Sequence, residues 1–221
     1  MDIGRASINS ALRIPPHNRR ASPRSAFASG VFRWIGTHRG PVCALLAAPL
    51  VVTLLRGGGA PADPLAEAAS ARGLAGAALV LAGVAVRLWA MGYRTRTGHF
   101  TEDGPYRWVR HPLYVGTLIW WLGFFVLAGA PLWGTVLFVL IAGAVHAPQA
   151  AFEEEYLHGL FGEAYAAYAH RVPRWFPLRA PRPPAGRPWS LRRMLRNHAL
   201  LTIGQGVATL AGFKLLVLWR G

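Results

Sequence analysis

The chain is predicted to be an all-α integral membrane protein with about five transmembrane helices and a cytosolic amphipathic helix. Three observations predict this. Of 221 residues, 53% are hydrophobic, and nine acidic residues face 24 Lys and Arg. The basic residues stand in clusters between uninterrupted apolar runs, whereas a soluble nucleic-acid-binding face needs them interleaved with a globular pattern. Several of those runs have the length a membrane helix needs at about 1.5 Å per residue. No nucleic-acid partner is therefore expected. The single cysteine, Cys43, excludes an intrachain disulfide and a cysteine-based metal site; it lies in an apolar run and reads as packing, and no metal is expected.

Residues 1–38 carry Arg5, Arg13, Arg19, Arg20, Arg24 and Arg33 with Pro15, Pro16 and Pro23, and few large apolar residues. Such a segment buries too little to order itself and reads as a basic cytosolic tail against anionic lipid. The apolar run begins near Gly40, too late for a cleaved signal peptide. Residues 40–55 form a short first span, and the glycine-rich 57–64 a turn without the lysine and hydroxyl of a phosphate loop. Residues 71–93 form the second span, rich in Gly73, Gly76, Gly83 and alanine, the small residues that let membrane helices approach. Arg87 in its last third reads as snorkelling to the polar boundary, with an inward turn into a polar site as the alternative.

After a polar loop to His111 come two spans, 112–128 and 132–150, joined by the tight turn 129–134; Pro112 suits a helix start because its missing N–H would be unbonded there. Residues 153–171 then place Leu157, Leu160, Phe161, Ala164, Tyr165 and Tyr168 on one side of an amphipathic helix. A proline-arginine linker leads to the last apolar block, 199–219. The expected domain organisation is a tail (1–38), a core (39–177), a linker (178–198) and a C-terminal transmembrane helix (199–221). Lys and Arg number seven before the first span, four in 92–111 and eight in 150–198, against two in 56–72 and none in 129–134. By the excess of positive charge on the cytosolic side, the N-terminus, the 104–116 segment and the 153–171 helix share that side.

Two polar segments at the ends of apolar blocks carry the chemistry. GPYRWVRHPLYVG (104–116) brings Arg107, Arg110 and His111 to a helix start, and EEEYLHGLFGEAYAAYAHRVPRWFP (153–177) brings Glu153, Glu154 and Glu155. Two readings of these charges stand: they pair with one another, Arg110 with Glu154 for example, or they hold a zwitterionic, positively charged cofactor, since carboxylates suit a sulfonium or amino group and arginines a carboxylate. Tyr106, Trp108, Tyr114, Tyr165 and Tyr168 add faces for a cation or an adenine. His146, Gln149 and Glu153 form a polar stripe pointing from the membrane toward the acidic cluster.

The GPYRWVRHPLYVG segment, a helical hairpin, and then Glu153, Glu154, Leu157, Phe161, Gly162, Tyr165, Tyr168 and Arg171 to Pro173 together resemble the isoprenylcysteine carboxyl methyltransferase family and its bacterial and phospholipid methyltransferase relatives. The resemblance covers about residues 75–177. It implies a multi-span enzyme of a bacterial inner membrane that binds S-adenosylmethionine on the cytosolic side and admits a lipid or prenylated acceptor, a carboxylate, amine or hydroxyl, from the bilayer. Carried over residue by residue, it implies that Tyr106, His111, Pro112, Leu113, Tyr114, Glu153 and Glu154 hold the cofactor, and that Arg110, Glu154 and Arg171 stand at the transfer point. Where eukaryotic members place basic residues before the glutamate pair, this chain has Ala150, Ala151 and Phe152. A similar RHP segment in sterol reductases implies, as an alternative, a membrane reductase using NADPH. A non-enzymatic scaffold binding anionic lipid is the third reading.

Overall fold

The computed structural model describes residues 70–95, 100–181 and 183–220. The expected basic tail, the first span and the 57–64 turn lie outside the described residues. The described part is all-helical: α1 (Ala71–Tyr93), a 3-10 turn (Gly104–Arg107), α2 (Pro112–Leu127), α3 (Leu132–Phe161), α4 (Glu163–Arg171), α5 (Leu191–Arg196) and α6 (Ala199–Arg220). Three of these helices, α1, α3 and α6, are long and apolar enough to cross a membrane. α2 is equally apolar but has only 16 residues, about 24 Å of helix against a hydrocarbon core of about 30 Å.

α1 and α2 make the tightest pair, antiparallel, and glycine makes the pairing possible. A Cβ on Gly83 would lie 2.5 Å from the Trp120 amide nitrogen and 2.6 Å from the Gly116 carbonyl oxygen. One on Gly123 would lie 2.7 Å from the Gly76 carbonyl oxygen. The two contacts recur seven residues apart on both helices, so a whole face runs backbone to backbone. Toward the end away from the 104–116 segment the bundle is apolar: Val80, Phe125, Leu127, Phe138 and Phe213 are buried there, with the Phe125 and Phe138 rings 4.7 Å apart.

Two expectations about helices are corrected. The span expected to stop at residue 150 and the amphipathic helix expected to start at 153 are one helix, α3, of 30 residues. Pro148 lies inside it without ending it, as membrane helices tolerate. The break comes instead at Gly162, whose φ of 52° only glycine adopts readily. Arg87 does not snorkel. Its guanidinium turns inward, donating to Thr117 of α2 and, at 3.4 Å, to Thr202 of α6, because Gly116 leaves its stem a path across α2.

The stretch expected to be a linker also has structure of its own. Asp103, buried, accepts the backbone N–H groups of Ala185 at 2.7 Å and Arg187 at 2.9 Å. Asn197 donates to the Met91 and Arg94 carbonyls, and the short helix α5 lies between these two anchors. Residues 183–198 are thereby strapped over the end of α1, and α6 starts from that same end. The polar segments 100–111, 150–177 and 183–198 consequently gather at one end of the bundle.

Candidate functional site

The meeting of the two polar segments begins with their backbones. The Arg110 N–H donates to the Pro173 carbonyl at 2.9 Å and the His111 N–H to the Arg174 carbonyl at 3.4 Å. Gly104, with φ of 61°, lets the chain turn beneath the Tyr93 ring. Below it, the Tyr168 hydroxyl donates to the Tyr106 carbonyl at 2.9 Å. Burial pushes the Tyr168 hydroxyl far above its ordinary pKa and Tyr165 up to about 12, so both stay neutral. Tyr165, Tyr168 and Val172 are buried, and Phe100 stands edge-on to Tyr165 at 5.4 Å; this cluster pins α4 under the 104–111 segment.

On that platform Glu154 is the hub. Its carboxylate, nine-tenths buried, accepts from Arg110 Nη1 at 2.9 Å, from Arg174 Nε and Nη2 at 2.9 and 2.6 Å, and pairs with His111 Nε2 at 2.8 Å. The fork of Arg174 grips both oxygens, the strong bidentate geometry, and its pKa is raised chiefly by that bond. Glu153, next to it, has a side chain 36% exposed; it lies 3.7 Å from His111 Nδ1 and accepts the Tyr114 hydroxyl at 2.8 Å. The rings of His111 and Tyr114 stack at 5.5 Å, and Trp175 lies 5.4 Å from His111 and 6.0 Å from Tyr114.

Seven of the nine sequence-predicted site residues bear on this cluster or its footing: Tyr106, Arg110, His111, Pro112, Tyr114, Glu153 and Glu154. Pro112 is fully buried at the first turn of α2, and Leu113, half-buried, offers its carbonyl to Thr117. Arg171, in contrast, is exposed at the end of α4, and Arg174 reaches Glu154 in its place. The cause is Pro173: the chain leaves α4 at Val172 and its next basic side chain, Arg174, two residues on, faces back to Glu154. Trp175 was likewise not singled out; the signal for both was their place directly after the RVP turn. His146, expected on the polar stripe, is buried and bonds the Ala142 carbonyl through Nδ1 at 2.8 Å, and the inward carboxylate below it is Glu154, with Glu153 at its edge. Replacing Arg174 by Ala is expected to cost about 1 kcal/mol, reduced by its partial exposure. Arg171→Ala is expected to stay within about 0.5 kcal/mol; thermal unfolding of both variants in detergent checks the pair.

A separate open groove of about 550 Å³, lined by Phe100, Glu102, Asp103, Phe161 and Arg187 among others, lies on the other side of the Phe100 cluster. None of the residues expected to hold the cofactor lines it.

Fold and site together define an integral membrane protein, all-helical among the described residues, with a buried carboxylate–guanidinium–imidazole cluster at one end of its bundle. Residues 71–164 match the family model described as phospholipid methyltransferase. The chain is 36% identical over 105 residues to a protein-S-isoprenylcysteine O-methyltransferase of Schizosaccharomyces pombe, covering 48% of this chain and 44% of that protein. It is 37% identical over 76 residues to protein-S-isoprenylcysteine O-methyltransferase B of Arabidopsis thaliana, covering 34% and 38%, and 34% identical over 85 residues to the Homo sapiens protein, covering 38% and 30%. The chain thus spans less than half the length of these relatives. No solved structure matches it. The family-model match includes Arg110, His111, Glu153 and Glu154, and these relatives are all methyltransferases by name, which favours a methyltransferase over the reductase.

Proposed function

We propose that the chain is an integral membrane methyltransferase that takes the methyl group of S-adenosylmethionine and passes it to a lipid or prenylated small-molecule acceptor. The single observation that carries this is the convergence of Arg110, His111, Glu153, Glu154 and Arg174 at the end of apolar helices, where an aqueous reactant and a membrane-dissolved one can meet.

The residues present suit the cofactor. When bound, S-adenosylmethionine supplies a methyl group on a sulfonium sulfur, which keeps the bond pair as the methyl leaves. Glu153, half-exposed beside three rings, is placed to attract the sulfonium or the amino group. His111, Tyr114 and Trp175 offer flat faces to a cation or an adenine. Pro112 and Leu113 supply the wall at the helix start, and Tyr106 the floor. Glu154 serves differently: three donors orient it, so it sets where His111 and Arg110 stand. Methyl transfer depends on in-line placement more than on a strong base, and such a rigid cluster is the means to placement. The apolar helices above exclude water and so strengthen each charge contact.

In this reading the cluster faces the cytosol from a bacterial inner membrane, with the basic 1–38 and 178–198 stretches against anionic lipid; the excess of Lys and Arg on that side supports the orientation. Equilibrium binding to the purified protein tests the reading: labelled S-adenosylmethionine is expected to bind and NADPH not to compete, and a lipid extract is expected to gain the label. Binding of NADPH in place of S-adenosylmethionine would make it a reductase, and binding of neither would leave the scaffold.

A further inference from the structure

Gln149 stands on the inward face of α3, three residues after His146 and four before Glu153, so all three lie within about one-sixth of a turn of one another. Its side chain is at least nine-tenths buried. Its Oε1 has no hydrogen-bond partner among the described residues. Tyr114 runs along this same face: its ring meets His146 edge-on at 5.1 Å, and its hydroxyl reaches Glu153 at 2.8 Å. Gln149 therefore sits on the membrane side of the glutamate pair, on the face of α3 that Tyr114 spans from His146 to Glu153. A buried acceptor without a donor is costly in a low-dielectric interior, and proteins rarely keep one that nothing ever satisfies.

The charges nearby decide what kind of donor fits. Arg110 and Arg174 both bond Glu154, and the next buried residues of α3 toward the membrane are Ala150, Gln149, His146 and Ala142, with no Lys or Arg among them; the Nδ1 of His146 is bonded to the Ala142 carbonyl. An acceptor headed by a carboxylate would approach two glutamates with the nearest guanidiniums already engaged. A head that carries N–H or O–H meets an acceptor oxygen and, if it is an ammonium, two attractive carboxylates.

We propose that Gln149 is the specificity-determining residue of the acceptor site, accepting a hydrogen bond from a protic head group, an amine or a hydroxyl, of the membrane-dissolved methyl acceptor. The assignment rests on methyl transfer at this cluster. In that transfer one proton passes from the head to the Glu153 carboxylate, before attack for an ammonium and as the bond forms for a hydroxyl; the lone pair of the head's nitrogen or oxygen forms the new bond to the methyl carbon, and the carbon–sulfur bond pair stays on sulfur.

The test uses amphiphiles of one tail and three heads, a primary amine, an alcohol and a carboxylate, added to the full chain in detergent without cofactor. Thermal shift and direct binding are read for the wild type, Gln149→Leu and Gln149→Glu. The amine and the alcohol are expected to bind about tenfold more tightly than the carboxylate, the worth of one buried hydrogen bond. Gln149→Leu is expected to abolish that preference without lowering the ligand-free melting temperature, since no bond within the chain is lost. Gln149→Glu, which keeps an acceptor oxygen, is expected to retain the amine. Equal or tighter binding of the carboxylate, a preference that survives Gln149→Leu, or a lower ligand-free melting temperature in that variant overturns the assignment. Labelled S-adenosylmethionine is measured on the same wild-type preparation: its failure to bind overturns the methyl-transfer reading and this one with it, while its binding with no head-group preference overturns this one alone.

Discussion

Glu154→Gln is expected to remove S-adenosylmethionine binding to below a tenth of the wild-type affinity and to destabilise the fold by about 2–3 kcal/mol. The glutamine is nearly the same size, so no cavity forms. What changes is charge: Arg110, Arg174 and His111 all converge on this carboxylate, and the neutral amide leaves two guanidiniums facing each other. The amide also turns one acceptor into a donor, so at least one of the four bonds must be broken. His111 then loses the partner that sets its ring orientation, and the His111, Tyr114 and Trp175 faces drift from their mutual 5.4–6.0 Å spacing. Binding titration and thermal unfolding in detergent are both needed. Loss of stability with binding unchanged would mean that the cluster is only a clasp between α2, α3 and the 172–175 segment.

Gly83→Val is expected to be the most damaging single change to the fold, about 3 kcal/mol or more, seen as loss of monodisperse protein after detergent extraction. The first added carbon would fall 2.5 Å from the Trp120 backbone nitrogen and 2.6 Å from the Gly116 carbonyl. Neither atom is the tip of a flexible chain, so α1 and α2 must separate. In a membrane no hydrophobic effect draws the helices back together, because lipid tails are as apolar as the side chains. Separation also removes the path by which Arg87 reaches Thr117 and Thr202. Gly143→Val on α3 is the control: nothing lies within 4 Å of its added carbon, and the variant is expected to extract like wild type.

Much of this architecture was legible in the chain. A helix betrays itself by composition over twenty residues, so 71–93, 112–128 and 199–219 fell within a residue or so of α1, α2 and α6. The pairing of Arg110 with Glu154 could be named as one possibility because buried opposite charges rarely stand alone. Helix continuity was harder. The charged triplet 153–155 looks like the end of a span, yet helix hydrogen bonding does not depend on polarity, and α3 runs on until Gly162 lets the backbone turn.

What the amino-acid sequence determined by itself was which segments are apolar, which are charged, and that the charged ones lie at helix ends. Which of those charges meet was decided by tertiary structure alone. Arg174 rather than Arg171 holds Glu154, and Arg87 turns inward rather than outward, because the two backbone hydrogen bonds from residues 110–111 to 173–174 and the glycine path at Gly116 are contacts between segments far apart in the chain. Local composition carries no record of such contacts; only the packed backbone sets the direction in which each side chain leaves.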